Sequence, residues 1–179
     1  SPVIRVTATG APVQAALQAS ITRTLLPGGV DQVGAIAVAE TEQIVPGVTV
    51  TQNPGAEGAS DAATVVRILS PNADTTATIT ASPIGASQQS PVPTTVPLAA
   101  GIPTEVGIPG LAVGQYTVEV EAGEPVLAAV WQTTGFGEGS DFAWYSSAPA
   151  VGAPSLFAAP PGPVPVLTLA NPTADPITV

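Results

Sequence analysis

Two short passages of this chain recur, each roughly one hundred residues from its counterpart. Pro12-Val13-Gln14-Ala15-Ala16-Leu17 reads like Pro125-Val126-Leu127-Ala128-Ala129-Val130. Ile68-Leu69-Ser70-Pro71-Asn72-Ala73-Asp74 reads like Leu169-Ala170-Asn171-Pro172-Thr173-Ala174-Asp175. A spacing of that size marks a repeated domain, because solenoid units recur every ~20–50 residues. The chain opens on the late motif, runs through one early-to-late unit and closes on a second early motif. It reads as a window on a tandem array, with one whole domain in the middle.

What kind of domain follows from the punctuation. The 179 residues hold 21 Pro and 18 Gly, yet 45% are hydrophobic, chiefly Ala and Val, with few aromatics. Mean hydropathy is +0.40. Disordered chains lack apolar residues, so this mixture predicts many short strands with frequent turns. Period-two alternation supports it: Val13, Ala15 and Leu17 share one face, and Gln14, Ala16 and Gln18 the other.

Beyond residue 44 the predicted strands come at the spacing of a β-sandwich. They fall near 47–52, 63–69, 76–82, 94–98, 104–108, 115–121, 126–133 and 141–146. Ser70-Pro71-Asn72-Ala73-Asp74, Asn53-Pro54-Gly55 and Ile108-Pro109-Gly110 supply turns, since Pro fixes φ and Asn, Asp and Gly tolerate unusual dihedrals. Ala122-Gly123-Glu124-Pro125 reads as a tight connection between two strong strands.

The expected organisation has five parts. Residues 1–23 are terminal strands of a preceding β domain, at 3–8 and 13–21. Residues 24–43, with Pro27-Gly28-Gly29, are a connector. Residues 44–148 form a complete immunoglobulin-like antiparallel sandwich. Residues 149–165 are a Pro-rich, semi-rigid spacer, and 166–179 begin the first hairpin of a following domain. Neither end is expected to fold alone, because a lone hairpin buries too little apolar surface. Completion by the other end of the chain is favoured over completion by another chain.

Leu111-Ala112-Val113-Gly114-Gln115-Tyr116 resembles the tyrosine corner of immunoglobulin-like sandwiches. In that motif the Tyr hydroxyl bonds to nearby backbone and fixes a crossover between sheets. Leu111, Gly114 and Tyr116 are therefore assigned a structural role. Five of the seven aromatics lie together: Trp131, Phe136, Phe142, Trp144 and Tyr145. In so Ala/Val-rich a chain, large rings are needed first to fill a core or interface. The alternative is a glycan platform on Trp131, Trp144 and Tyr145.

The absences exclude whole reaction classes. Without His or Cys, Ser-His-Asp and Cys-His catalysis and thiolate metal sites have no residues to use. Without Lys, there is no Schiff base and no phosphate-binding Walker lysine. Gly135-Phe136-Gly137-Glu138-Gly139 lacks the strand-to-helix setting that phosphate binding requires. Glu119 and Glu121 share a strand face near Glu124, Glu138-Gly139-Ser140-Asp141 forms an acidic loop, and Asp61 and Asp74 stand alone. These read as a solvated acidic surface rather than a calcium or glycosidase site. No catalytic residue, metal or cofactor is expected.

Net charge is −10, from 13 acids against Arg5, Arg23 and Arg67. Such a surface repels phosphate backbones, so nucleic acid is not an expected partner. The longest apolar run, 126–131, is far below the ~20 residues of a spanning helix.

Arg5-Val6-Thr7-Ala8-Thr9-Gly10, Gly29-Val30-Asp31, Ile44-Val45-Pro46-Gly47-Val48, Phe142-Ala143-Trp144 and Leu169-Ala170-Asn171-Pro172 together resemble an uncharacterised family. Its members are secreted, cell-envelope-associated tandem β-domain proteins from high-GC Gram-positive bacteria. The resemblance implies export and tandem β domains; it carries over no activity and no site residues. The expected function is a non-catalytic extracellular scaffold, spacer or interaction module. The alternative is a carbohydrate-binding module. Expected partners are the remaining domains of the same polypeptide, another chain completing the end strands, or a cell-surface glycan or protein.

Overall fold

A computed structural model describes residues 3–23, 25–36, 38–52, 62–85, 90–91, 93–135, 138–158, 162, 164–173 and 175–178. Among them there is no helix, and every strand pair is antiparallel. The strands are β1 (Ala16–Arg23), β2 (Leu26–Gly34), β3 (Glu40–Val50), β4 (Ala63–Leu69), β5 (Thr75–Pro83), β6 (Thr94–Leu98), β7 (Thr104–Gly107), β8 (Gly114–Thr133) and β9 (Phe142–Ser146).

The 20-residue β8 is the spine. Its first half pairs with β3 on one side and β5 on the other, and β5 carries β6. Its second half pairs with β4 and β9, and β4 carries β7. Two layers thus share one strand, β6–β5–β8–β3 and β7–β4–β8–β9. Just past β9 the Ala148 N–H donates to the Ile44 carbonyl of β3 at 2.8 Å. That bond links the free sides of the layers, and the result is a nearly closed sandwich.

Alternation builds the core. Val118 and Val120 from the first half of β8, and Val126, Ala128 and Val130 from the second, point inward. They meet Val45, Val48 and Val50 of β3, Val66 and Ile68 of β4, and Ala77 and Ile79 of β5. All are buried. Each buried Val or Ile contributes ~1.5–3 kcal/mol by leaving water, so a core made mainly of small aliphatic residues, with Tyr116 and Leu98 among them, is adequate when it is long and continuous. The β4–β5 turn is held by Ser70, whose hydroxyl donates to the Ala73 carbonyl at 2.5 Å. Asp74 accepts the Ala100 N–H at 2.7 Å.

Several local expectations are corrected. Ala122-Gly123-Glu124-Pro125 is not a turn; it lies inside β8. Pairing with β5 ends at Ala122 and pairing with β4 begins at Leu127, so Pro125 stands where the ladder changes partners. A missing N–H is tolerated there. Residues 24–43, expected as a connector, contain regular strand: β2 occupies Leu26–Gly34 and pairs with β1, and β3 already starts at Glu40. Glycine is needed in β2 by close approach rather than for a loop. A Cβ on Gly29, at φ +106°, would lie 2.2 Å from the Asp141 carboxylate. Residues 3–8 and 166–170, expected as strands, are in neither sheet. The Asn53-Pro54-Gly55 turn, Asp61 and Phe136 lie outside the described residues.

Candidate functional site

The aromatic cluster is split by the pleat. Trp131 of β8 and Trp144 of β9 stand opposite each other across the ladder. Neighbouring residues on a strand point to opposite faces, so both rings lie on the outer face of their layer while Val130 and Tyr145 lie on the inner. The two indoles have centroids 6.4 Å apart and planes inclined at 40°. Both are half-buried.

Arg67 joins them from β4. Its guanidinium carbon lies 5.0 Å from the centre of the Trp144 ring, over its face, and it also forms an ion pair with Glu105 of β7. A cation over an indole contributes ~0.5–1 kcal/mol at exposed sites. The outer face therefore carries a connected row, Glu105–Arg67–Trp144–Trp131.

Further along β9, this face is covered by the β1–β2 hairpin. Phe142 is buried, with its ring edge against Gly29. The Asp31 carboxylate of β2 accepts the Trp144 backbone N–H at 2.6 Å. Asp31 thus satisfies a donor that the edge strand β9 would otherwise expose.

Tyr145 belongs elsewhere. It packs against the core cluster, and its hydroxyl accepts the Thr49 N–H at 3.4 Å. It lines an open cleft of about 330 Å³ with Pro46, Gly47, Gln115, Val166 and Thr168. The structure thus brings Trp131 and Trp144 together but separates Tyr145 from them. Arg67, which meets both an acid and a ring, carried no sequence signal. Its placement depends on the register Arg67–Ala129 and Arg67–Glu105, which no local pattern specifies.

Tyr116 is buried, and its hydroxyl donates to the Ala112 carbonyl at 2.9 Å. Leu111 is buried beside it in the core, and Gly114 opens β8.

The carboxylates spread out. Glu42, Glu119 and Glu121 gather where β3 meets β8. Partial burial raises the Glu119 pKa above the usual glutamate range, and the charges of Glu121 and Glu42 add to the rise. The Asp141 carboxylate accepts the Phe142 N–H. Among the described residues no acid cluster has the geometry to hold a metal ion.

Among solved structures, the chain is similar to the crystal structure of Thermotoga maritima 1070, at 11% identity and a TM-score of 0.50. That likeness covers 62% of this chain and 94% of the other, and it concerns the fold alone. The Anabaena sensory rhodopsin transducer matches at 14% identity and a TM-score of 0.39, over 52% of this chain and 95% of the other. No curated protein matches the chain. Residues 1–179 match the family of unknown function DUF5719 throughout, and the chain belongs to that family.

Proposed function

We propose that this chain is a non-catalytic scaffold, spacer or interaction module of the bacterial cell envelope, working outside the cell. One observation carries the reading: among the described residues, both tyrosines and Trp144 are engaged in contacts within the fold. Tyr116 closes onto Ala112, Tyr145 meets the Thr49 N–H, and Trp144 lies under Arg67. In this reading Leu111, Gly114 and Tyr116 form an immunoglobulin-like tyrosine corner that fixes the start of β8. The absence of His, Cys and Lys supports a non-catalytic role. Export and envelope association are supported by the family resemblance of the sequence motifs. The partners of this reading are neighbouring β domains of the same polypeptide or another chain.

A second reading, a carbohydrate-binding module, is favoured by the half-buried Trp131–Trp144 pair. A sugar stacking on Trp144 must use the face that Arg67 leaves, or displace Arg67. A glycan array probed with the 179-residue chain separates the two. The scaffold reading expects no glycan signal. A signal that disappears in Trp131→Ala, with the fold intact by circular dichroism, replaces it with the second.

A further inference from the structure

The β1–β2 hairpin is a structural counterpart of the β8–β9 hairpin. The sequence repeat matches Pro12–Leu17 to Pro125–Val130, and the second half of β8 is flanked by β9 on one edge and β4 on the other. Carried across the repeat, the β8–β9 pair Ala129–Ser146 becomes Ala16–Val33. The observed pair is Ala16–Gly34, one residue away. So β2 lies beside β1 as β9 lies beside β8, with the register shifted by one residue. Among the described residues, the edge of β1 that corresponds to β4 pairs with no strand.

The strand that corresponds to β4 is at the other end of the same chain. Ile68-Leu69-Ser70-Pro71 and Asp74 match Leu169-Ala170-Asn171-Pro172 and Asp175. The turn that follows is already formed. The Asn171 side chain donates to the Asp175 carbonyl at 2.7 Å and accepts the Thr173 N–H at 3.1 Å, where Ser70 serves in the first copy of the motif.

Exposure completes the comparison. Val66, Ile68, Val126, Ala128 and Val130 are buried at the β4–β8 junction. Their counterparts are Leu167, Leu169, Val13, Ala15 and Leu17. Of these, Leu167 is 59% exposed, Leu169 54%, Val13 61% and Leu17 49%. Five apolar positions that form a core in one copy of the motif stand open in the other. The C-terminal segment also presents them outward: Thr168 packs against Gly47 of β3 and is half-buried with Ala170, while Leu167 and Leu169 are exposed.

We infer that residues 165–170 of one copy of this chain add, as an antiparallel strand, to residues 14–19 of a second copy, the start of β1 and the residues just before it, with Leu169 opposite Ala15 and Leu167 opposite Leu17. The occupant is a second copy because the β4-like segment belongs to this chain, while its Val166 and Thr168 line the cleft beside β3 of their own chain and, among the described residues, the segment makes no ladder with its own β1. The free edge supplies backbone hydrogen bonds, and the alternate side chains set the register. Each copy offers one donor segment and one acceptor edge, so the contact is heterologous and propagates into chains or rings. This extends the scaffold reading by naming what the scaffold joins, and it stands on the repeat and the open edge rather than on the glycan result.

The chain has no cysteine, which makes the test direct. Two single variants, Ala15→Cys and Leu169→Cys, are mixed and oxidised. The expected product is a mixed disulfide dimer on a non-reducing gel. Thr168→Cys, on the opposite strand face, should cross-link to Ala15→Cys at least several-fold less. The unsubstituted chain should sediment with a mass that rises with concentration, and Leu169→Asp should abolish the rise. A doubly substituted Ala15→Cys, Leu169→Cys chain that closes within one monomer at every concentration overturns the second-copy assignment. So does a wild-type chain that stays monomeric to millimolar concentration.

Discussion

Residues 40–146 and the two ends of the chain are built from the same small palette, yet they differ in the number of partners each strand has. In the sandwich, each half of β8 has a neighbour on both sides, and its inward valines are fully buried. In the β1–β2 hairpin each strand has one ladder partner, and Leu17 and Val30 remain exposed. The C-terminal segment has no ladder at all among the described residues. The same side-chain chemistry thus yields a core in one place and an open surface in the other. Apolar residues stabilise in proportion to the surface they remove from water, and that depends on a facing layer rather than on the residue itself.

The comparison breaks first at its largest expected difference. Ile68→Ala should destabilise the sandwich by about 2–5 kcal/mol, as large-to-small changes in a packed core do. Its repeat counterpart Leu169→Ala should change the monomer by no more than about 0.5 kcal/mol. Urea unfolding of both variants at low protein concentration measures this. Equal losses would mean that the end segment is as well packed as the core.

Next comes Tyr116→Phe. Removing the hydroxyl from the Ala112 carbonyl should cost about 1 kcal/mol, the usual net value of an intramolecular hydrogen bond. An unchanged melting temperature would show that the bond contributes nothing to the start of β8.

Smaller still is Arg67→Gln, which removes an ion pair and a cation over an indole. Both lie near the surface, where such contacts are weak, and the two together contribute less than about 1 kcal/mol. Because salt screens such contacts, the loss should shrink in high salt. A loss independent of salt would assign Arg67's contribution to packing of its stem against Trp144.

The smallest effect concerns the acidic side of the sandwich, and its sign is opposite. Burial and the neighbouring Glu121 and Glu42 hold the Glu119 pKa above its unfolded value. The folded state therefore keeps its proton over a window where the unfolded state has lost it. Stability falls as pH rises through that window. Glu119→Gln should raise the melting temperature slightly at pH 7, and the gain should vanish near pH 3, below the ordinary glutamate pKa. A gain that persists in acid would contradict the electrostatic cause.

Much of the fold was legible because alternation is a local property. β4 and β5 are found close to where the period-two pattern put them, and β6 at Thr94–Leu98 where it was expected. The Ser70–Asp74 turn followed from the dihedral limits of Pro, Asn and Asp. Of the candidate site, the grouping of aromatics along the chain was visible. Its division between two faces required the β8–β9 register. Arg67 gave no sign of its role, and Asp31 stood only in a motif to which no role was attached, since each acts across the sheet or between sheets.

By itself, then, the sequence determined that this protein is all-β, where most strands run, which catalytic chemistries its residues exclude, and that two of its motifs occur twice. Those are consequences of single side chains and short periods. Tertiary structure decided that Gly123-Glu124-Pro125 continues a strand, that Pro27-Gly28-Gly29 belongs to a hairpin, and which copy of a repeated motif is buried. Glycine and proline remove constraints or donors without specifying what replaces them. Whether the chain turns or runs on at such a point is set by the partner available beyond it, and that partner lies far away in sequence.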